Sequence, residues 1–282
     1  MTSPTARSAR RTRLTVRLSG IVTQFRGLPE DLYARLRDLL APFEDATAAP
    51  PVAKFTISRQ IEPPLWLVDG AGESRRGFRY ETDLLTYLEW LAVAQATQTT
   101  TQHVIFHAGA VTREAKTILL VAESGAGKTT LTLGLLQRGW LPLSDDTALV
   151  SPETFAVAPF PRCFHVDTFT RSAITQPSLV EDVGALDGYL RPVRWAEAPA
   201  QVSCVVRLER DPTAPTSIQQ ISQAEAAGAV LQSVISSGLP RGEAARVAAG
   251  VAAGASCWRV NNGALDATLD TLDRLAAGAD EV

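Results

Sequence analysis

The densest chemistry in this 282-residue sequence lies in AESGAGKTTL, residues 122–131. An apolar run ending at Val121 enters a turn carrying Gly125 and Gly127, and a helical pattern opens at Lys128. Glycines let the backbone curl so that successive N–H groups point inward, and a helix N-terminus adds the positive end of its dipole. Ser124, Gly125, Ala126 and Gly127 are therefore expected to cradle phosphate oxygens through the main chain. Lys128 would neutralise the β- and γ-phosphates, the Thr129 hydroxyl would coordinate Mg²⁺, and Thr130 completes the nucleotide-binding set. The first position of this phosphate-binding loop departs from the usual glycine: Ala122 must enter the turn with negative φ or reshape it. Lys128 is expected to stand exposed in the cradle.

Seventeen positions after Lys128 the stretch WLPLSDD ends in Asp145 and Asp146. Two carboxylates at the end of a neighbouring strand suit phosphoryl transfer, one holding Mg²⁺ and the other taking a proton from an attacking hydroxyl. Asp146 is paired with Thr129 as the expected metal set, and which of the two aspartates is the base is left open. The short spacing from the lysine points to a kinase-like arrangement. His107, on the strand before the loop strand, can reach a carboxylate or a phosphate. Arg162, in PFPR, is a candidate to clamp phosphate oxygens, because a guanidinium presents a planar fork of donors. His165 falls in the same loop-rich stretch, and His103 has no comparable argument.

These residues need a scaffold. Residues 1–13 carry Arg7, Arg10, Arg11 and Arg13 with no acid and read as a solvated basic tail. From Leu14 an alternating run reads as a strand, and Leu28–Phe43 places Leu32, Leu36, Leu39 and Leu40 at helical spacing. AKFTISRQ, LWLVDG and GFRYET read as half-buried strands, followed by a helix over Leu84–Ala96. Residues 14–100 thus form a small N-terminal α+β unit. A second unit spans 101–282: strands HVIFHAGAV and TILLVA, the glycine turn, a helix Lys128–Arg138, and strands WLPLSDD and TALV. A loop-rich region to about Ala200 follows, then a strand Val202–Leu208, helices Gln223–Ile235 and Gly242–Ala253, a strand Cys257–Val260 and a helix Ala264–Leu275. That alternation argues an α/β nucleotide-binding core.

Composition narrows the classes. The chain is 45% apolar and 20% charged, ordinary for a globular protein, and 27 basic against 30 acidic residues leave −3, so no global field attracts nucleic acid. Cys163, Cys204 and Cys257 lie far apart, which fits neither a disulfide framework nor a zinc site and agrees with a cytoplasmic setting. No apolar run approaches the roughly 20 residues of a membrane span.

The ordered set H-x-G at His107–Gly109, SGAGKTT at 124–130, QRGW at 137–140, LPLSDD at 141–146 and PFPR at 159–162 resembles the HPr kinase/phosphorylase-like fold. It is most similar to the HPr-kinase-related proteins found beside PqqD-like peptide-binding proteins in peptide-modification clusters. ATP-type phosphoenolpyruvate carboxykinases resemble it more distantly. The resemblance implies ATP and Mg²⁺ held by Gly125, Gly127, Lys128 and Thr129, and Asp145 or Asp146 as catalytic base assisted by His107. It also implies transfer of the γ-phosphoryl group to a serine or threonine hydroxyl of a peptide or small protein, with a PqqD-like protein as partner. Thr130 stands where those kinases carry an acidic residue, and RCFHVD offers no lysine after PFPR. The alternatives are a nucleotide-binding regulatory or scaffold protein without turnover, and a small-molecule kinase; oligomeric state is left open.

Overall fold

A computed structural model describes residues 12–47, 49–183, 188–211, 213–235 and 238–278. Most of the expected basic tail lies outside the described residues, and Thr12 and Arg13, assigned to it above, belong instead to the first strand. The described residues divide into two compact units, one running to Thr100 and the other starting at Thr101.

The first unit is a five-stranded sheet of β1 (Thr12–Leu18), β2 (Ile21–Leu28), β3 (Ala53–Gln60), β4 (Leu65–Gly70) and β5 (Glu73–Phe78), in that spatial order. Only β2 and β3 run parallel. Parallel neighbours need a crossover, and α1 (Glu30–Leu39) lies on it. Leu32, Leu36 and Leu39 bury one stripe of α1, while α2 (Glu81–Thr99) packs beside it. In β3 the alternation is strict: Ala53, Phe55 and Ile57 are buried, whereas Lys54 and Thr56 face solvent. Leu28, expected in the helix, ends β2 instead.

The second unit carries, in chain order, β6 (Val104–Phe106), β7 (Ala108–Arg113), β8 (Lys116–Val121), α3 (Lys128–Gln137), β9 (Leu141–Ser144), β10 (Ala148–Val150) and β11 (Ala156–Ala158). There follow β12 (Phe164–His165), α4 (Thr168–Ser172), β13 (Val180–Asp182), β14 (Tyr189–Pro192), β15 (Ala200–Gln201), β16 (Cys204–Glu209) and β17 (Ser217–Gln220). The chain closes with α5 (Gln223–Gln232), β18 (Val234–Ile235), α6 (Arg241–Ala253), β19 (Ser256–Asn261) and α7 (Leu265–Ala277). The architecture is mixed α/β, and among the described residues no helix is long and apolar enough to cross a membrane.

A six-stranded sheet, β17-β19-β16-β8-β7-β9, is parallel at its centre, where β16 pairs with both β19 and β8. Parallel strands must be covered on both faces, and β8 shows it. Ile118 and Leu120 join the cluster with Leu131 and Leu135 of α3 and Leu269 and Leu272 of α7, whereas Leu119 and Val121 turn to Phe106, Val150 and Val247 on the opposite side. A five-stranded sheet, β15-β11-β10-β6-β18, contributes to that opposite face.

Three expectations change. HVIFHAGAV is not one strand: β6 pairs with β10 in one sheet and β7 with β8 in the other, with His107 at the crossing point. The helix expected to reach Ile235 stops at Gln232, because Val234 and Ile235 pair with β6. The stretch 159–200 contains a small sheet, β12-β14-β13, whose strands of two to four residues are too short to show a period.

Candidate functional site

The turn between β8 and α3 is set by backbone geometry. Gly125 and Gly127 have φ of +81° and +98°, values that side chains rarely tolerate, while Ala122 is not among the positive-φ residues and enters with ordinary backbone. At Gly127 the demand is double. A Cβ there would lie 2.5 Å from Asn262 Nδ2, and that amide donates to the Ala126 carbonyl at 2.9 Å. Arg210 Nη1 donates to the Gly125 carbonyl at 3.0 Å.

Lys128 opens α3 but does not stand exposed, contrary to the expectation above. It is buried, and its ammonium donates to the carbonyls of Ala122 at 2.9 Å and Glu123 at 3.2 Å. A charge taken from water needs acceptors, and the loop's own carbonyls supply them. Burial pulls its pKa down against the opposing pull of Asp146 and Asp145.

Asp145 and Asp146 follow the end of β9 and have different surroundings. Asp145 is buried against Gly109, whose missing Cβ would lie 3.0 Å from the Asp145 carbonyl oxygen. Its Oδ2 accepts from the Thr129 hydroxyl at 3.2 Å, and its Oδ1 is buried without a partner. Burial, reinforced by the neighbouring Asp146 charge, pushes its carboxyl up to about 8. For Asp146, burial is the largest single influence and works upward too, but the Arg162 guanidinium, the Thr147 hydroxyl and His107 together outweigh it and hold the carboxyl below the usual range. Arg162 Nη1 lies 3.0 Å from each of its oxygens, and the Thr147 hydroxyl donates at 2.7 Å.

Thr129 therefore meets Asp145 rather than Asp146, and Arg162 is engaged with a carboxylate. His107 also differs from expectation. Its Nδ1 lies 3.0 Å from the Asp146 main-chain oxygen, which can only accept, so Nδ1 carries the proton and Nε2 of the neutral ring is an acceptor. Burial, then the Lys128 charge, lowers its pKa. The Thr130 hydroxyl turns to Thr170 at 2.8 Å.

Two clefts meet here. One, of ≈ 590 Å³, is lined by Lys128, Thr129, Asp145, Asp146 and Phe169; the other, of ≈ 770 Å³, by Arg207, Glu209 and the β18 residues Val234 and Ile235. His107, Ser124, Gly125 and Arg210 line both, Ala126 the larger and Gly127 the smaller. His165 lines the smaller cleft and packs its ring 5.0 Å from that of Tyr189; His103 lines neither. Arg210 and Asn262 were missed from the sequence. Both follow the C-terminal ends of parallel strands, β16 and β19, where open α/β sheets hold ligands, and that rule is the signal that could have found them.

The donor set suits Mg²⁺. The Thr129 hydroxyl and Asp145 are hard oxygen donors in contact, and the unpartnered Oδ1 is a buried acceptor awaiting a proton or a cation. Among the described residues no group of three His, Cys, Asp or Glu side chains is arranged to hold a metal, and Mg²⁺ commonly takes one or two carboxylates with phosphate and water completing its shell.

No family model matches the chain, and no curated protein matches it. Thirty-two chains of solved structures match. One is the HPr(Ser) kinase/phosphatase from Coxiella burnetii, 14% identical, with 62% of this chain and 99% of that chain covered and a TM-score of 0.28.

Proposed function

We propose that the chain is an ATP- and Mg²⁺-dependent kinase that transfers the γ-phosphoryl group to a hydroxyl of a peptide or small protein. The observation that carries this reading is the buried Asp145 carboxyl, in contact with the Thr129 hydroxyl and with one oxygen unpartnered, beside a lysine-bearing turn at a helix N-terminus. Main-chain N–H groups of residues 124, 125 and 127–129 bind phosphate oxygens, while the Ala126 N–H is turned to the Glu123 carbonyl, and Lys128 adds a fixed positive charge. Thr129 and Asp145 would hold Mg²⁺, which supplies charge neutralisation on the phosphates when bound. Asp146, kept ionised by Arg162, accepts the proton of the attacking hydroxyl, and His107 fixes the Asp146 main chain. This exchanges the metal role first given to Asp146 for Asp145. The first unit carries none of these residues and is assigned to recruiting the acceptor.

The test is phosphoryl transfer from γ-labelled ATP to a serine- and threonine-centred peptide library, run against Asp146→Asn. Transfer that depends on Mg²⁺ and collapses in the variant is the expected result. ATP binding with no turnover on any acceptor would leave a nucleotide-binding regulatory protein.

A further inference from the structure

We propose that Arg210 is a phosphate clamp, its guanidinium donating to the triphosphate of the bound donor beside the glycine turn. This rests on the kinase reading above and adds to it a residue that touches the donor.

Three lysine or arginine side chains line the two clefts: Lys128, Arg207 and Arg210. Lys128 is buried on loop carbonyls, and Arg207 pairs with Glu209 and Glu225. Arg210 lines both clefts, and its one hydrogen bond among the described residues is the 3.0 Å contact of Nη1 with the Gly125 carbonyl. A guanidinium carries five N–H donors in a fixed fork, so most of them remain for a ligand. The carboxylates on the cleft walls are engaged elsewhere. Glu209 meets Arg207 and Arg259, Asp146 meets Arg162, Asp145 meets Thr129, and Asp167 accepts the Thr170 N–H at 2.7 Å. Glu123 also lines the larger cleft, but among the described residues no carboxylate pairs with Arg210. An arginine without a carboxylate, beside a turn that presents N–H groups, adds its charge to an anion site instead of neutralising an acid.

Arg210 is exposed, yet it is not a loose surface arginine. Just before it the Glu209 carbonyl accepts from the Asn262 N–H at 2.8 Å, and just after it the Asp211 N–H donates to Asn261 Oδ1 at 2.8 Å. The Asn261 amide is oriented in turn, because its Nδ2 donates to the Pro215 carbonyl at 2.9 Å. The Asn262 side chain holds the Ala126 carbonyl, so the same two asparagines at the end of β19 fix both the main chain of Arg210 and the turn it reaches. With its base anchored and its tip on Gly125, the side chain has little ordering entropy left to lose when a phosphate arrives.

Arg162, given this role from the sequence, cannot fill it while Nη1 lies 3.0 Å from both Asp146 oxygens. Ser124, Gly125 and Arg210 line both clefts, so a triphosphate crossing the turn meets Arg210 whichever cleft takes its nucleoside. The acceptor hydroxyl keeps its place beside Asp146 in the smaller cleft.

The experiment is calorimetric titration of the full chain with ATP and with inorganic tripolyphosphate, each in Mg²⁺. It compares the wild type with Arg210→Ala, Arg210→Gln and Arg210→Lys, with circular dichroism confirming each fold. Arg210→Ala should bind both ligands about tenfold or more weakly, by the same factor, because the contact is to phosphate. Arg210→Gln keeps donors for the Gly125 carbonyl without the charge and should lose as much. Arg210→Lys keeps the charge without the fork and should recover part of the loss. Unchanged affinity in the alanine variant overturns the proposal. So does full recovery by glutamine, which would leave Arg210 only holding the turn, or a loss confined to ATP, which would put the contact on the nucleoside. A lysine variant that binds no tighter than the glutamine variant overturns it as well, and this comparison decides alone should Arg210→Ala fail to fold. A wild type that binds neither ligand overturns the kinase reading itself.

Discussion

Replacing Gly127 with alanine should cost stability through two separable routes. A Cβ at φ +98° brings the left-handed penalty of about 1–2 kcal/mol. The same Cβ would sit 2.5 Å from Asn262 Nδ2, so the amide must withdraw and give up its 2.9 Å bond to the Ala126 carbonyl, a loss of about 1 kcal/mol. Gly127→Ala should therefore destabilise by about 2–3 kcal/mol. Asn262→Ala alone should cost about 1 kcal/mol, the hydrogen bond without the strain. In the double variant that bond is lost once, so the cost should fall about 1 kcal/mol short of the sum. Urea unfolding of all four proteins, with slopes compared, measures the cycle. Strict additivity would refute the coupling and with it the view that Gly127 is needed for Asn262. Nucleotide affinity gives a second readout. With the Ala126 carbonyl held by Asn262, the Gly127 N–H on the same peptide plane points the opposite way, so freeing that plane should weaken ATP binding even where the fold survives.

Lys128→Met keeps the bulk of the side chain but takes the ammonium from the Ala122 and Glu123 carbonyls and removes the charge; ATP affinity should fall about tenfold or more in a folded protein, and unchanged calorimetric affinity would remove the phosphate-site assignment. Asp146→Asn should lower phosphoryl transfer by about 10²-fold or more while ATP binding changes far less; wild-type transfer would leave Asp146 as a structural partner for Arg162 and Thr147. For Asp145 the folded carboxyl, pushed up to about 8, lies above its unfolded value of 3.8, so between these values the folded chain keeps a proton that the unfolded chain has released. Stability in metal-free buffer should therefore decline as pH rises from about 4 to about 8 and level off above, and Asp145→Asn should flatten that decline. An identical pH profile for variant and wild type would show that burial does not hold this carboxyl protonated.

Where several local signals agree, the fold was legible from the sequence. The β8–turn–α3 unit combines an apolar strand, glycines at positions that prove to have positive φ, and a helical run, each enforcing the same chain path. The alternation of β3 and the leucine stripe of α1 are equally local. The stretch from His103 to Val111 was not legible in the same way, because its apolar residues read as one strand. Only remote pairing, of β6 with β10 and of β7 with β8, divides it at His107. Val234 and Ile235 read as the end of a helix for the same reason: β6, more than a hundred residues earlier, recruits them into a sheet.

The site divides along the same line. That the turn can curl is written in its glycines, but which way its peptide planes face is decided by the groups that capture its carbonyls. Lys128 captures two from within the loop, at Ala122 and Glu123. Arg210 and Asn262 capture those of Gly125 and Ala126 from 85 and 136 positions away. A captured carbonyl turns the N–H of the following residue to the opposite side of its peptide plane; the Gly127 N–H is presented to an anion in this way, whereas the Ala126 N–H meets the Glu123 carbonyl at 3.4 Å. The same separation governs the aspartates: adjacent in sequence, they become unlike because the buried Asp145 carboxyl meets the Thr129 hydroxyl while Arg162 meets that of Asp146. A motif scan finds groups able to do the chemistry. Their division of labour depends on contacts made from the ends of β16 and β19 and from the segment after β11, and no spacing within the motif encodes those contacts.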